Sequence, residues 1–172
     1  MRGFYLTSAV ATIGLCLSVP VQAQPTATVD AARTAATQDR NREAADLYAQ
    51  AMREDPSLRG ALLRQYADQL TFSDRSREAV PLYREVLERS DLAASERSLA
   101  MRGLALALAW SGQHRDAVAA YSDLLEIDRE DRDARVMRGK VLLWSSQYSA
   151  AMRDFKQALA RDPSDIEALR AL

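Results

Sequence analysis

Apolar positions along this chain recur with helical spacing, and the pattern is written four times. The segments 42–51, 77–86, 115–124 and 149–158 each place a small residue, an aromatic and a further small or apolar residue at i, i+4 and i+7. The small residues are Ala44, Ala79, Ala117 and Ala151, and the aromatics are Tyr48, Tyr83, Tyr121 and Phe155. Ala51, Val86, Leu124 and Ala158 complete the sets. Such spacing lines one face of an α-helix and would scatter over both faces of a strand. The aromatics stand 35, 38 and 34 residues apart, so the period is that of a helical repeat.

A second helix precedes each of these. Sixteen residues before each aromatic stands another small residue, Ala32, Ala67, Ala105 or Gly139. Around the last two the apolar spacing is again helical, as in Met101, Leu104, Leu108 and Val136, Leu142, Leu143. Small residues at that position predict close approach of two helices. The chain therefore reads as four helical hairpins over about 25–59, 60–97, 98–131 and 132–165, with the start of a further helix at 166–172.

The punctuation agrees. Ser111-Gly112-Gln113 and Ser145-Ser146-Gln147 break the pattern, each directly after a tryptophan, Trp110 or Trp144. Asp-Pro-Ser at 55–57 and 162–164 separates hairpins, with Ser57 expected to cap the helix that follows. Ser164 to Glu167 has the form of a capping box. Pro81 falls inside a second helix, where it removes one backbone hydrogen bond and predicts a kink or a tightened turn.

These recurring positions resemble the tetratricopeptide repeat (TPR) family, whose first helix carries a Trp/Leu–Gly–Tyr signature and whose second carries Ala–Phe/Tyr–Ala–Pro. The likeness spans about residues 25–165, although Asp91 and Arg129 stand where the family has Pro, and the first helix around Val29–Thr37 is weak. The resemblance implies an all-α solenoid of hairpins wound into a right-handed superhelix, with first helices lining a concave face. One TPR subtype grips acidic peptide C-termini through Lys/Arg at the fifth and Asn at the ninth position of first helices. Here the fifth positions are Arg64, Arg102 and Val136 and the ninth are Asp68, Leu106 and Lys140, so that carboxylate clamp is not expected.

Residues 1–23 read differently. Arg2 is followed by an apolar stretch from Phe4 to Val19, then Pro20 and Val21-Gln22-Ala23. This is the pattern of a secretory signal peptide with cleavage after Ala23, and the apolar run is short of the roughly 20 residues a membrane span needs. Cys16, the only cysteine, lies inside the leader, and Leu15 before it disfavours lipid attachment. The exported chain would fold without a disulfide, by packing alone. The expected compartment is the periplasm.

Composition narrows the function. Of 172 residues 48% are hydrophobic and 27% charged, the balance of a folded chain. With 23 Lys+Arg against 24 Asp+Glu there is no basic surplus for nucleic acid or an anionic membrane. All but Lys140 and Lys156 of the cations are Arg, and pairs such as Glu85–Arg89 and Asp131–Arg135 are placed for exposed i,i+4 bridges on helices.

Catalytic chemistry finds no foothold. His114 is the only histidine and falls in a hairpin turn at the position Tyr148 fills one repeat later. The acidic run 128–133 lacks the Gly and the terminal Glu of a calcium loop, with Asp133 and Gly139 at those positions. No Gly-rich phosphate loop is written, so neither catalysis, metal nor cofactor is expected.

Two function classes remain. The first is a protein-binding scaffold in the periplasm, with a candidate groove of Arg64, Asp68, Arg102, Leu106, Val136, Lys140 and Leu143, flanked by Leu99. The Leu-Ala-Trp-Ser-Gly and Leu-Leu-Trp-Ser-Ser runs look like TPR segments that precede outer-membrane barrels in polysaccharide-export proteins. A membrane would then be reached only through such a linked partner or domain. The second class is a carbohydrate-binding or enzyme-associated module using the rim that bears Trp110 and Trp144. The uncovered apolar residues Leu169 and Leu172 predict either a longer chain or self-association.

Overall fold

The computed structural model describes residues 25–171; the expected leader, Cys16 and Leu172 lie outside them. The helices form antiparallel hairpins in chain order. The first pairs α1 (Pro25–Thr37) with α2 (Asn41–Glu54), and the second pairs α3 (Arg59–Phe72) with α4 (Ser76–Glu88). Then come α5 (Ala94–Trp110) with α6 (His114–Ile127), and α7 (Arg132–Trp144) with α8 (Tyr148–Arg161). A short α9 (Ile166–Arg170) follows, and no strand occurs among the described residues. Each helix packs on its neighbours in the chain, and α3 also touches α5. The first helices of the second and third hairpins therefore meet, as they do in a solenoid.

The repeated aromatics are what the stacking buries. Tyr48 packs with Val29, Ala32, Ala51 and Leu62; Tyr83 and Tyr121 join one continuous central core; Phe155 closes the last hairpin with Val136, Ala151 and Ala158. The small residues expected between helices are buried without exception, Ala32, Ala67, Ala105 and Gly139 alike. A Cβ on Gly139 would lie 2.6 Å from the Phe155 ring, so the ring occupies the space a side chain would need. Even the first hairpin, whose leading helix is weak in the sequence, is complete, because Val29 and Ala32 are covered by α2 and α3.

All four hairpin turns share one backbone. Asp39, Asp74, Gly112 and Ser146 adopt φ of 56°, 62°, 81° and 61°. The amide after each reaches back five residues, as in Arg40 N–H to Ala35 O and Gln113 N–H to Leu108 O at 3.0 and 2.9 Å. This is the Schellman closure of a helix C-terminus, in which one left-handed residue satisfies otherwise orphaned carbonyls. Only one turn uses glycine for it.

The caps depart from expectation. Asp55, not Ser57, accepts the first amide, and a single 3₁₀ turn over Pro56–Leu58 precedes α3. Asp165, not Ser164, caps α9, accepting from the amides of Glu167 and Ala168 at 3.0 and 3.1 Å. In both places Asp-Pro-Ser folds into its own turn, with Ser164 donating to Asp162 at 2.6 Å. That leaves the serine unavailable to the next helix. Pro81 lies on the exposed side of α4, and the helix runs through it.

Candidate functional site

The candidate groove residues divide into three kinds. Arg64 and Asp68 on α3 belong to a half-buried network spanning two repeats: Arg64 holds Asp68 at 2.5 Å and Glu96 of α5 at 2.7 Å. Tyr83 of α4 donates to the other Asp68 oxygen at 2.7 Å. Burial raises the Asp68 carboxyl above the ordinary aspartate range, with Glu96 adding to the rise and the Tyr83 hydrogen bond and Arg64 opposing it. Burial and the neighbouring Asp68 charge push the Tyr83 hydroxyl up as well. Both effects keep the Tyr83 proton on its oxygen, donating to the carboxylate.

The remaining cations are stapled in the same way. Arg102 of α5 meets Asp131, the N-cap of α7, at 2.7 Å, and Lys140 of α7 meets Glu167 of α9 at 3.1 Å. Arg132 clamps Asp165, the N-cap of α9, through two bonds of 2.7 and 2.5 Å. From α5 to α7 and from α7 to α9, successive first helices are thus joined by an arginine on one and a capping aspartate on the next. Each aspartate serves twice, as helix cap and as ion-pair partner. The expected i,i+4 bridges do not form: Glu85 pairs with Arg59 across a hairpin, Arg89 with Asp91 and the Gly60 carbonyl, and Asp131 with Arg102. For Glu85 and Asp131 the partner comes from 26 and 29 residues away, closer in space than the arginine one helical turn on.

The apolar candidates separate by burial. Val136 is 1% exposed and supports Phe155 from inside the core, so its side chain does not line a surface. Its helical neighbours Arg132 and Lys140 take the outward positions. Leu106 and Leu143 are half-buried, and Leu99 is 47% exposed. These three, set among the stapled charges, form the apolar part of the first-helix face.

A second feature lies where that face meets the hairpin turns. Phe72, Trp110 and Trp144 end α3, α5 and α7, and are 51%, 48% and 48% exposed. Trp110 follows Leu106 by four residues and Trp144 follows Lys140 by four, so each continues its helix's outward stripe toward the turn. The Phe72 and Trp110 rings meet edge-on, 5.7 Å apart and at 75°. His114, the first residue of α6, lies 6.1 Å from Trp144, tilted at 45°. Phe72 is not among the rim aromatics expected from the sequence, although its place at the end of the preceding first helix marks it as the counterpart of the tryptophans.

No helix among the described residues is long and apolar enough to cross a membrane, and no group of three His, Cys, Asp or Glu is placed to hold a metal ion.

Comparison with known proteins rests on structure. No protein-family model matches the chain, and no curated protein matches it. Among solved structures, YrrB, a TPR protein with an unusual peptide-binding site, superposes with a TM-score of 0.73 at 20% identity, over 87% of this chain and 74% of that one. The chain has the tetratricopeptide-repeat fold. A tetratricopeptide repeat protein from Parabacteroides merdae matches at TM-score 0.66 and 19% identity, over 86% of this chain and 57% of its own. MamA from Desulfovibrio magneticus RS-1 gives 0.70 at 15% identity, over 84% and 79%. Several TPR solenoids thus share the hairpin stacking at 20% identity or less, and the shared fold leaves function to the particular side chains.

Proposed function

We propose that this chain is a non-catalytic scaffold that binds a segment of a protein partner along its first-helix face, in the periplasm. The observation that carries the reading is the exposed Leu99 with the half-buried Leu106 and Leu143, set among charges already fixed by ion pairs. An incoming segment would gain apolar contact there without first ordering those charged side chains, which lowers the entropic cost of binding. Arg64, Asp68, Arg102 and Lys140 would set its orientation as a charged rim. YrrB, with its peptide-binding site, is a precedent for the fold in such a role. Export follows from the leader pattern at 1–23, and the Trp-Ser runs favour work beside an outer-membrane or polysaccharide-export system.

The test combines capture from periplasmic extract with thermal melting. Leu106→Asp should abolish capture while the helix signal and melting temperature stay close to the parent, and Arg102→Ala should weaken capture less. A folded Leu106→Asp protein with full capture removes this face from consideration. N-terminal sequencing of the exported protein should begin at Gln24; retention of Cys16 would overturn the localisation. A second reading, carbohydrate binding at the tryptophan rim, draws its support from the half-exposed indoles.

A further inference from the structure

Hollows line the hairpin-turn rim beside the aromatic residues. One of about 560 Å³ is bounded by Trp110, Asp74, Ser76, Arg77 and Ser111. Another of about 320 Å³ is bounded by Tyr148, Ser146, Gln147, Ser149 and Arg153, in and after the turn that follows Trp144. Their chemistry is alike: an aromatic ring, hydroxyls, a guanidinium and a carboxylate or amide, with no aliphatic side chain larger than alanine. Asp74, Arg77 and Arg153 make no ion pair and no side-chain hydrogen bond among the described residues, while the charges of the first-helix face are paired. Polar groups left unengaged beside an exposed ring are available to a ligand.

We propose that this rim binds a neutral oligosaccharide, with Trp110 and Trp144 as stacking platforms in successive repeats. It makes the second reading above specific, and it stands or falls separately from the groove. A pyranose ring has an apolar C–H face and a hydroxylated edge. The indole supplies a flat apolar surface for the first, and the side chains around it supply donors and acceptors for the second. Phe72 meets Trp110 edge-on and His114 lies tilted beside Trp144, so each indole packs against a neighbouring ring while about half of it stays exposed. A proline-rich peptide also favours aromatic plates, but it needs apolar walls between them, and these hollows have none. Carboxylate and guanidinium stand together beside Trp110, which favours an uncharged sugar over an anionic one.

The chain contains two tryptophans, both on this rim, so intrinsic tryptophan emission reports on the rim alone. Purified protein titrated with cellohexaose and with the hexamer of N-acetylglucosamine should show a saturable change in emission with at least one of them. In Trp110→Ala, read through Trp144, the dissociation constant should rise about tenfold. Trp144→Ala, read through Trp110, should do the same. Circular dichroism on each variant checks that the fold is kept. Absence of any emission change with both sugars, or equal affinity in folded tryptophan variants, overturns the proposal. So does saturation by a polyproline peptide with no response to sugar. Loss of partner capture in Leu106→Asp without sugar binding in the parent would sink the rim and spare the groove.

Discussion

A Cβ placed on Gly103 would lie 2.4 Å from the ring of Tyr83, on the neighbouring helix. The ring cannot retreat, because Tyr83 is 1% exposed and its hydroxyl is held by Asp68 at 2.7 Å. One missing side chain on α5 thus makes room for the aromatic of the preceding repeat, and that aromatic reaches through to the Arg64–Asp68–Glu96 network. Packing and the first-helix face are mechanically one piece here.

Gly103→Ala follows directly. On helix propensity alone alanine would stabilise by about 1 kcal/mol. The displaced tyrosine and strained hydrogen bond oppose this with an overpacking cost of about 1–3 kcal/mol. A net loss of stability in chemical denaturation is expected; a variant as stable as the parent would mean the ring has somewhere to go.

The close-packed position inside the third hairpin makes a similar forecast. Ala105 is fully buried in the central core beside Tyr121. Ala105→Leu should cost about 1–3 kcal/mol by overpacking, and Tyr121→Ala about 3–5 kcal/mol through the cavity it leaves. Calorimetric melting of both variants checks the order as well as the sizes.

Turn geometry predicts gains as well as losses. Ser146 occupies a left-handed backbone that glycine occupies at Gly112 in the repeat before. An L-residue pays roughly 1–2 kcal/mol there, of which some returns as unfolded-chain entropy when glycine is introduced. Ser146→Gly should therefore raise stability by up to about 1 kcal/mol, and Gly112→Ala should lower it by at least as much. Denaturation midpoints of the two variants should move in opposite directions.

Acid should act on Asp165 and Asp68 with opposite sign. The Arg132 hydrogen bonds hold the Asp165 carboxyl down at about 2 against burial, below its ordinary 3.8. A depressed folded-state value stabilises above the unfolded pKa and is lost as pH falls through the folded one, so docking of α9 should weaken from pH 4 toward 2. Asp68 is raised, mainly by burial, so its charge opposes folding at neutral pH and protonation relieves that. Amide-exchange protection, corrected for intrinsic rates, should fall at 166–171 before it falls around Asp68. Uniform loss along the chain would contradict this.

Periodicity was legible in the sequence because burial repeats. Tyr48, Tyr83, Tyr121 and Phe155 each need one helical face covered, and recurrence of that need every 34 to 38 residues leaves few folds besides stacked hairpins. The turns were legible at Ser111-Gly112 and Ser145-Ser146 for the same reason: an apolar stripe stops and restarts there. Side-chain partners were not. Glu85 and Arg89 stand at ideal helix spacing, yet each bonds elsewhere, because Arg59 and the Gly60 carbonyl arrive from α3, and α4 ends before Arg89, which turns to Asp91 two residues on. Caps failed similarly at Ser57 and Ser164, where the neighbouring aspartate competed better for the first amides. Spacing alone could not separate Val136, turned inward beneath Phe155, from Lys140 one turn later, since both fit a first-helix stripe and only the packed neighbour reveals which side is covered. The sequence by itself determined the number and register of the hairpins, because apolar burial is periodic and local. Tertiary structure decided which charges were already paired and which rings stayed exposed, because those depend on contacts between residues about a repeat apart, whose distances no local pattern encodes.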